Sequence, residues 1–313
     1  MANQQFTIGV IGARGYAGAE LIRLIESHPN LSLAYAASRS LVGQSVPGTV
    51  SAVYQDSALD GIGAIPADAV VLAVPDGAAR EYAERLTDRI VVDLSSDHRF
   101  DDAWVYGLSE INRERIAGSK RISNPGCYAT ALQLAAHPLL SIVEGPIHAF
   151  GVSGYSGAGT TPSERNDPDL LAGGVTPYKL VGHTHEREAT HQLGHPVRFT
   201  PHVAPFFRGI TLTLQATSAR PVTEDDLLGL YQRAYGGEGM VELLGSRVPR
   251  VQEIAEQNGA RIGGVTVGAD GRSIAAVCVI DNLLKGASAQ AIQNLNLSLG
   301  LPMNTGLNTE GGS

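Results

Sequence analysis

Two hydrophobic periods run through this chain, and its ends read differently from its middle. Phe6 to Ile11 is a short apolar strand that passes directly into a turn with Gly12, Gly15 and Gly18, and a helical pattern from Ala19 to Ser27 follows. Leu31 to Ala37, Ala69 to Val74 and Ile90 to Leu94 are further buried strands. They close on Ser38-Arg39-Ser40, Pro75-Asp76-Gly77 and Ser95-Ser96-Asp97, and a helix from Ala78 to Leu86 separates the last two. Strand alternating with helix predicts a parallel sheet, whose strand-end loops share one ligand-binding edge. Val42 to Ile65 has no clear period. Ile122 ends another strand, Asn124-Pro125-Gly126 stop it, and Tyr128 to Leu140 is predicted as an Ala/Leu-rich helix continuing past Pro138.

The middle is rich in strands. Ile147 to Val152, Phe199 to Val203 and Ile210 to Ala216 read as sheet strands, and Thr223 to Tyr235 is a capped amphipathic helix. Gly264 to Gly268 and Ile274 to Ile280 form a hairpin around Asp270-Gly271. A long helix from Ser288 to Leu299 precedes a Gly/Asn-rich tail expected to be mobile. The fold class is therefore α/β: a Rossmann-type doubly wound cofactor domain plus an α+β domain with a mixed or antiparallel sheet.

With 313 residues the chain exceeds one core, so two domains are expected. Two cysteines give no disulfide framework, no signal-peptide pattern opens the sequence, and no apolar run approaches a membrane span. A cytoplasmic protein is expected. The net charge of -8 argues against nucleic acid or an anionic membrane as partner. It also means that a phosphorylated substrate needs locally placed cations.

The candidate nucleophile is Cys127, which the Asn-Pro-Gly turn sets at the start of a helix. Unpaired backbone N–H groups and the positive end of the helix dipole favour thiolate there. In the first turn, Gly12 can make the bend, Gly15 can admit a pyrophosphate, and Gly18 can bring helix and strand together. Arg14, Tyr16 and Ala17 complete that candidate cofactor loop, with Pro75 and Ser95 as neighbours along the edge. Ser38, Arg39 and Ser40 offer cation and hydroxyl donors where an NAD site usually has a carboxylate, which predicts NADP. Capping is an equally good reading of Ser95 and Asp97.

The glycine-rich stretch from Ser153 to Thr161, including Gly154 and Gly157, can turn backbone N–H groups toward an anion. His183 and His185 are two apart, a spacing that puts no ligand pair on one helical face, so no metal is expected. His185 with Glu188 three residues on resembles an imidazole oriented by a carboxylate. Arg208 beside Gly209 is a candidate clamp for carboxylate or phosphate, with Lys179 and Arg165 as further cations. Asn124, Ser153, Gly154, Lys179, His183 and Arg208 form the candidate substrate set.

With these residues assembled, the chain resembles the N-acetyl-gamma-glutamyl-phosphate reductases of arginine biosynthesis, within the wider aspartate-semialdehyde dehydrogenase group. The resemblance runs nearly end to end, through GARGYAGAELIRLI, DLSSDHRF, SNPGCYATA, SGYSGAG, GHTHERE, PHVAPFFRGI and DNLLKGASAQAIQNLN. It implies Cys127 as nucleophile, His185 as acid/base, and Asn282 near the nicotinamide. It also implies that the final helix packs back on the cofactor domain, giving an NADP-binding domain of 1–126 completed by 283–313 and a catalytic, substrate and dimerisation domain of 127–282. A homodimer or homotetramer follows from it too. Three residues depart from the family pattern: Asp76, Thr160 and Glu186. The expected reaction is NADPH-dependent reduction of an acyl phosphate to an aldehyde through a Cys127 thioester. Alternatives are a related semialdehyde dehydrogenase using a lysine-pathway or aspartyl phosphate, a Cys/His acyltransferase or hydrolase, and a non-catalytic NADP sensor.

Overall fold

A computed structural model describes residues 4–62 and 64–307. In chain order its elements are β1 (Phe6–Ile11), α1 (Tyr16–Glu26), β2 (Leu31–Ala37), β3 (Tyr54–Gln55), α2 (Leu59–Ile62), β4 (Ala69–Leu72), α3 (Ala79–Arg85), β5 (Ile90–Asp93), β6 (Val105–Tyr106), α4 (Ser109–Ile116) and β7 (Arg121–Ser123). There follow α5 (Cys127–Ala136), β8 (Val143–Gly154), α6 (Pro168–Leu171), β9 (Thr176–Pro177), α7 (Thr184–Leu193), β10 (Val197–Ala204), β11 (Ile210–Ser218), α8 (Glu224–Tyr235), β12 (Val241–Leu243), β13 (Ala260–Val267), β14 (Ser273–Ile280) and α9 (Ala289–Ser298). The chain divides into two compact units, one of residues 4–126 with 287–307 and the other of 127–286.

In the first unit the strands are ordered β3-β2-β1-β4-β5-β7-β6, and every pairing is parallel. The order reverses between β1 and β4, which is the switch point where a doubly wound sheet opens a crevice at its carboxyl edge. All four residues of β4 are buried, as a strand covered on both faces requires. Helix α1 turns Leu21, Ile22, Leu24 and Ile25 inward at helical spacing. Val42 to Ile65 contains β3 and α2, two and four residues long, too short to print a period in the sequence.

All ten residues of α9 are buried, amides included. Burial of an amide is tolerable only with partners. Gln290 donates to Gly107 O at 2.9 Å and Ser109 Oγ at 2.8 Å, and Asn296 donates to Met303 O at 3.0 Å and Thr305 O at 2.9 Å. Met303 and Leu307 are buried as well, so the expected mobile tail is a packed segment through residue 307. Residues 308–313 lie outside the described residues.

The second unit holds a mixed sheet, ordered β12-β13-β14-β11-β8-β10-β9. Pairs β8/β10 and β12/β13 are parallel, and the others are antiparallel. Alternation supplies its core: Ile210, Leu212 and Leu214 on β11 and Ile274, Ala276 and Cys278 on β14 are buried. Helix α5 packs against β11 and β14. Tyr231 and Tyr235 of α8 donate to Ala135 O at 2.7 Å and Leu134 O at 2.9 Å, tying the two helices. The α-helical part of α5 ends at Ala136, short of the expected Leu140, because Pro138 has no N–H to give; His137–Leu139 is a 3-10 turn.

Candidate active site

In the first unit, the β1–α1 turn places three glycines with different reasons for being glycine. Gly12 has a φ of +84°, and a Cβ there would lie 2.2 Å from Ala73 O, just beyond β4. A Cβ on Gly18 would lie 2.8 Å from Ala13 Cα. Gly15 caps α1, and a Cβ on it would meet only Gly12 O, at 3.6 Å. Packing thus demands glycine at 12 and 18 but leaves an open side at 15, in front of the N–H groups of a helix with no acidic residue in its first turn. That is a fit for a phosphate-bearing ligand. Arg14 is exposed beside this opening, and Tyr16 and Ala17 begin the helix.

At the end of β2, Ser38 is buried with its N–H on Gln55 O, while Arg39 and Ser40 are exposed. Pro75 follows β4 and is exposed. Ser95 follows β5 and donates to buried Asp93 at 2.9 Å, the carboxylate that also holds His98 Nδ1 at 2.7 Å. Asp97 accepts from Gly77 N–H at 2.6 Å and Ala79 N–H at 2.9 Å, so it caps α3, a helix that precedes it in the chain. Asp76 accepts from Ser96 N–H at 2.8 Å, which gives this departure from the family pattern a structural task.

Asn124 is built into the turn that ends β7. Its side chain is buried, accepting from Asn294 at 2.9 Å and donating to Ala287 O at 3.2 Å. Its backbone is also used, N–H to Asp93 O at 2.7 Å and C=O from Arg99 Nε at 3.0 Å. The side chain holds the turn before Cys127, with both ends of its amide engaged.

In the second unit, Cys127 is the first residue of α5 and is partly exposed. Around it stand aromatic rings that the sequence did not single out. Tyr128 is buried, donates to His202 O at 2.5 Å, and has ring centroids of His185 and Phe199 at 6.0 Å and 4.9 Å. Tyr178 lies 5.7 Å from His183, and the Arg165 guanidinium sits 5.1 Å over the Tyr178 ring. Burial and then the neighbouring Cys127 push the Tyr178 hydroxyl up to about 12, so it stays protonated.

Helix α7 positions the two histidines. His183 is its N-cap, accepting the His185 N–H on Nδ1 at 3.1 Å, and Gly194 closes the helix in the left-handed conformation. With Nδ1 accepting, the ring proton belongs on Nε2. Burial, then Lys179 and Arg165, against a weaker pull from Glu186, lower His183 to about 4. The His183 and His185 rings are 4.8 Å apart, and Glu188, one turn on, is fully buried. Glu186 accepts from Phe199 N–H at 2.8 Å and Gly182 N–H at 3.3 Å, binding the helix start to β10. Lys179 sits in the left-handed region at φ 42°, a conformation costly for a lysine and frequent at ligand sites.

The glycine-rich stretch is ordered rather than a loose cradle: Ser153 and Gly154 end β8, and Tyr155–Ala158 form a 3-10 turn. Ser153 donates to Gly154 O, and a Cβ on Gly154 would lie 2.5 Å from Phe207 O. Gly157 passes close to Ser153 Oγ. Asn282 is spent on this arrangement, donating to Ser156 Oγ at 2.9 Å and accepting from Gly209 N–H at 2.6 Å. Arg208 is likewise engaged: its fork pairs with fully buried Asp281, Nε to Oδ2 at 2.6 Å and the second nitrogen to Oδ1 at 3.2 Å. The residue expected as an anion clamp is thus held in an internal ion pair, while Lys179 and Arg165 are exposed cations beside His183. Cys278 is buried, its thiol pushed up to about 12 by burial.

Residues 7–119 match the semialdehyde dehydrogenase NAD binding domain and 127–282 the semialdehyde dehydrogenase dimerisation domain. The N-acetyl-gamma-glutamyl-phosphate reductase of Stenotrophomonas maltophilia (strain R551-3) is 48% identical, covering 96% of this chain and 98% of its own. That of Xylella fastidiosa (strain M23) is 46% identical, over 96% and 94%. A crystal structure of aspartate semialdehyde dehydrogenase II from Vibrio cholerae superposes with a TM-score of 0.78 at 20% identity, over 95% of this chain and 99% of that one, a likeness of fold alone. The chain belongs to the semialdehyde dehydrogenase family of oxidoreductases, in its branch of N-acetyl-gamma-glutamyl-phosphate reductases.

Proposed function

We propose that the protein reduces N-acetyl-gamma-glutamyl phosphate to N-acetylglutamate semialdehyde and phosphate, with NADPH as reductant and Cys127 as nucleophile. The observation that supports the mechanism is Cys127 at the first position of α5, near enough to Tyr128 and Tyr178 to add to burial in raising their hydroxyls, with His185 and His183 packed about those two rings. The Cys127 sulfur attacks the acyl carbon, the C–O bond to phosphate breaks, and a thioester remains. Bound NADPH supplies the hydride that reduces this thioester. His185 gives a proton to the developing oxyanion and takes it back as the thiohemiacetal collapses to aldehyde and thiolate, a contribution of about 10²- to 10⁴-fold. Glu188 orients His185. Lys179 and Arg165 hold the anionic groups of the substrate, which the chain's net charge of -8 would otherwise repel.

NADP is favoured over NAD because exposed Arg39 and Ser40 follow β2 and can grip a 2'-phosphate. Gly15 gives the pyrophosphate room to approach, its own N–H being bonded to Gly12 O, and Tyr16 and Ala17 present the N-terminus of α1 to it. A homodimer, or a tetramer built from it, is consistent with the dimerisation-domain match. The protein is read as cytoplasmic; among the described residues no helix is long and apolar enough to cross a membrane.

The test runs the reaction backwards from N-acetylglutamate semialdehyde, phosphate and NADP, following NADPH absorbance. Phosphate-dependent NADPH formation by the wild type and its loss in Cys127→Ser is the expected result. Activity surviving in Cys127→Ser would remove the covalent mechanism. An inert wild type that still binds NADPH would redirect the substrate to another semialdehyde.

A further inference from the structure

After β14 the backbone makes a π-turn, Leu284–Ser288, in which Gly286 N–H donates to the carbonyl of Asp281, five residues back, at 2.9 Å. Such wide turns are rare and concentrate at functional sites. Gly286 faces Cys127: a Cβ built on it would lie 2.7 Å from Cys127 Cβ and 3.2 Å from Cys127 Cα. Its φ is outside the left-handed range, so the backbone does not ask for glycine there. The contact does.

The start of this turn is fixed with unusual completeness. Asp281 is fully buried and its carboxylate accepts from Leu283 N–H at 2.8 Å, Leu284 N–H at 3.2 Å and Glu256 N–H at 2.7 Å, besides the two bonds from Arg208. Asn282, next in the chain, is fixed at both ends of its amide. Arg208 is itself one residue before Gly209, whose φ of 108° only glycine adopts readily. A buried, forked ion pair held this way gives geometry more than net stability.

We propose that the Arg208–Asp281 pair and the π-turn it anchors form a positioning device for the nucleophile, with Gly286 as the surface against which Cys127 is set. Arg208, Asp281 and Gly286 act through Cys127 and touch no substrate. The proposal rests on Cys127 being the nucleophile. A methyl group at 286 must move the Cys127 Cβ, the π-turn, or both, because the nearest atoms are a Cβ and a backbone Cα rather than a flexible side-chain end.

Gly286→Ala is the direct test, with Gly61→Ala as control, since a Cβ at Gly61 meets nothing within 4 Å. The expected result for Gly286→Ala is a kcat lowered about 10- to 100-fold with KM for NADP within about twofold, because displacement of a reacting atom by under an ångström acts on the chemical step. The rate of Cys127 alkylation by iodoacetamide, followed against pH, should shift in the same variant and stay at the wild-type profile in Gly61→Ala. A mere loss of stability would lower the active fraction without moving that pH profile. Arg208→Lys keeps the charge and loses the fork, and should reproduce the kcat defect if Gly286→Ala fails to fold. Wild-type kcat and alkylation profile in Gly286→Ala, or in Arg208→Lys where that variant stands in, would overturn the proposal. If Cys127→Ser is active, the nucleophile reading itself has failed, a result that neither of these variants can mimic.

Discussion

Acid should destabilise this protein through His183, by an amount that can be worked out. The imidazole is buried as the N-cap of α7, against Tyr128, Tyr178, His185 and Phe199, with Lys179 and Arg165 near enough to oppose its protonation and Glu186 only partly offsetting them. Its pKa falls from 6.5 unfolded to about 4 folded. The unfolded chain therefore binds the proton first as pH drops. Stability associated with neutral His183 is complete above about pH 6.5 and is lost between there and pH 4, by about 3 kcal/mol in all and about 2 kcal/mol by pH 5. The assay is urea unfolding at pH 7.5 and pH 5, at one protein concentration, for the wild type and His183→Asn. Asparagine keeps an N-cap acceptor. His28 and His137, also lowered by burial, titrate in both proteins and cancel in the comparison. The wild type should lose about 2 kcal/mol more than the variant between the two pH values. Equal losses would refute the account of His183 as a neutral, desolvated cap.

Two further outcomes separate packing from ligand binding in the first unit. Gly15→Ala should fold normally and weaken NADPH binding at least about tenfold in a fluorescence titration, whereas Gly18→Ala should lower the unfolding free energy by about 1–3 kcal/mol through overpacking against Ala13. Arg39→Glu should weaken NADPH about 10- to 100-fold, as loss of a charge-assisted bond implies, and leave NADH nearly unchanged; an unaltered NADPH/NADH preference in steady-state assays would remove Arg39 from the 2'-phosphate site.

What was legible in the sequence is what local periodicity and turn chemistry encode. The β1–α1 glycine turn, the parallel strands closing on Ser38, Pro75 and Ser95, and Cys127 at a helix start could all be read within windows of a dozen residues. Roles set by partners far along the chain could not. Arg208 looked like a free anion clamp because Asp281 stands 73 residues away. Asn124 looked accessible because Asn294, its partner, is 170 residues on. The close approach of Gly286 to Cys127 leaves no local trace at all, since nothing around Gly286 calls for a left-handed residue. The Gly/Asn-rich tail misled in the opposite direction: composition suggested mobility, but the amide of Asn296 and the side chain of His28 capture its carbonyls.

Helix α9 gives the first unit a problem of timing. Its partners in β5, α1 and α4 leave the ribosome early, yet the helix that covers them is among the last segments made, after the whole of residues 127–286. During synthesis a half-built Rossmann sheet must wait with an open groove, lined by the carbonyl of Gly107 and the hydroxyl of Ser109 that Gln290 will later satisfy. Such long-range closure slows folding and exposes unpaired surface in the interval. A nascent chain arrested before residue 289 is thus the form of this protein most in need of a chaperone, and a fragment ending at Gly126 is a poor vehicle for nucleotide-binding studies.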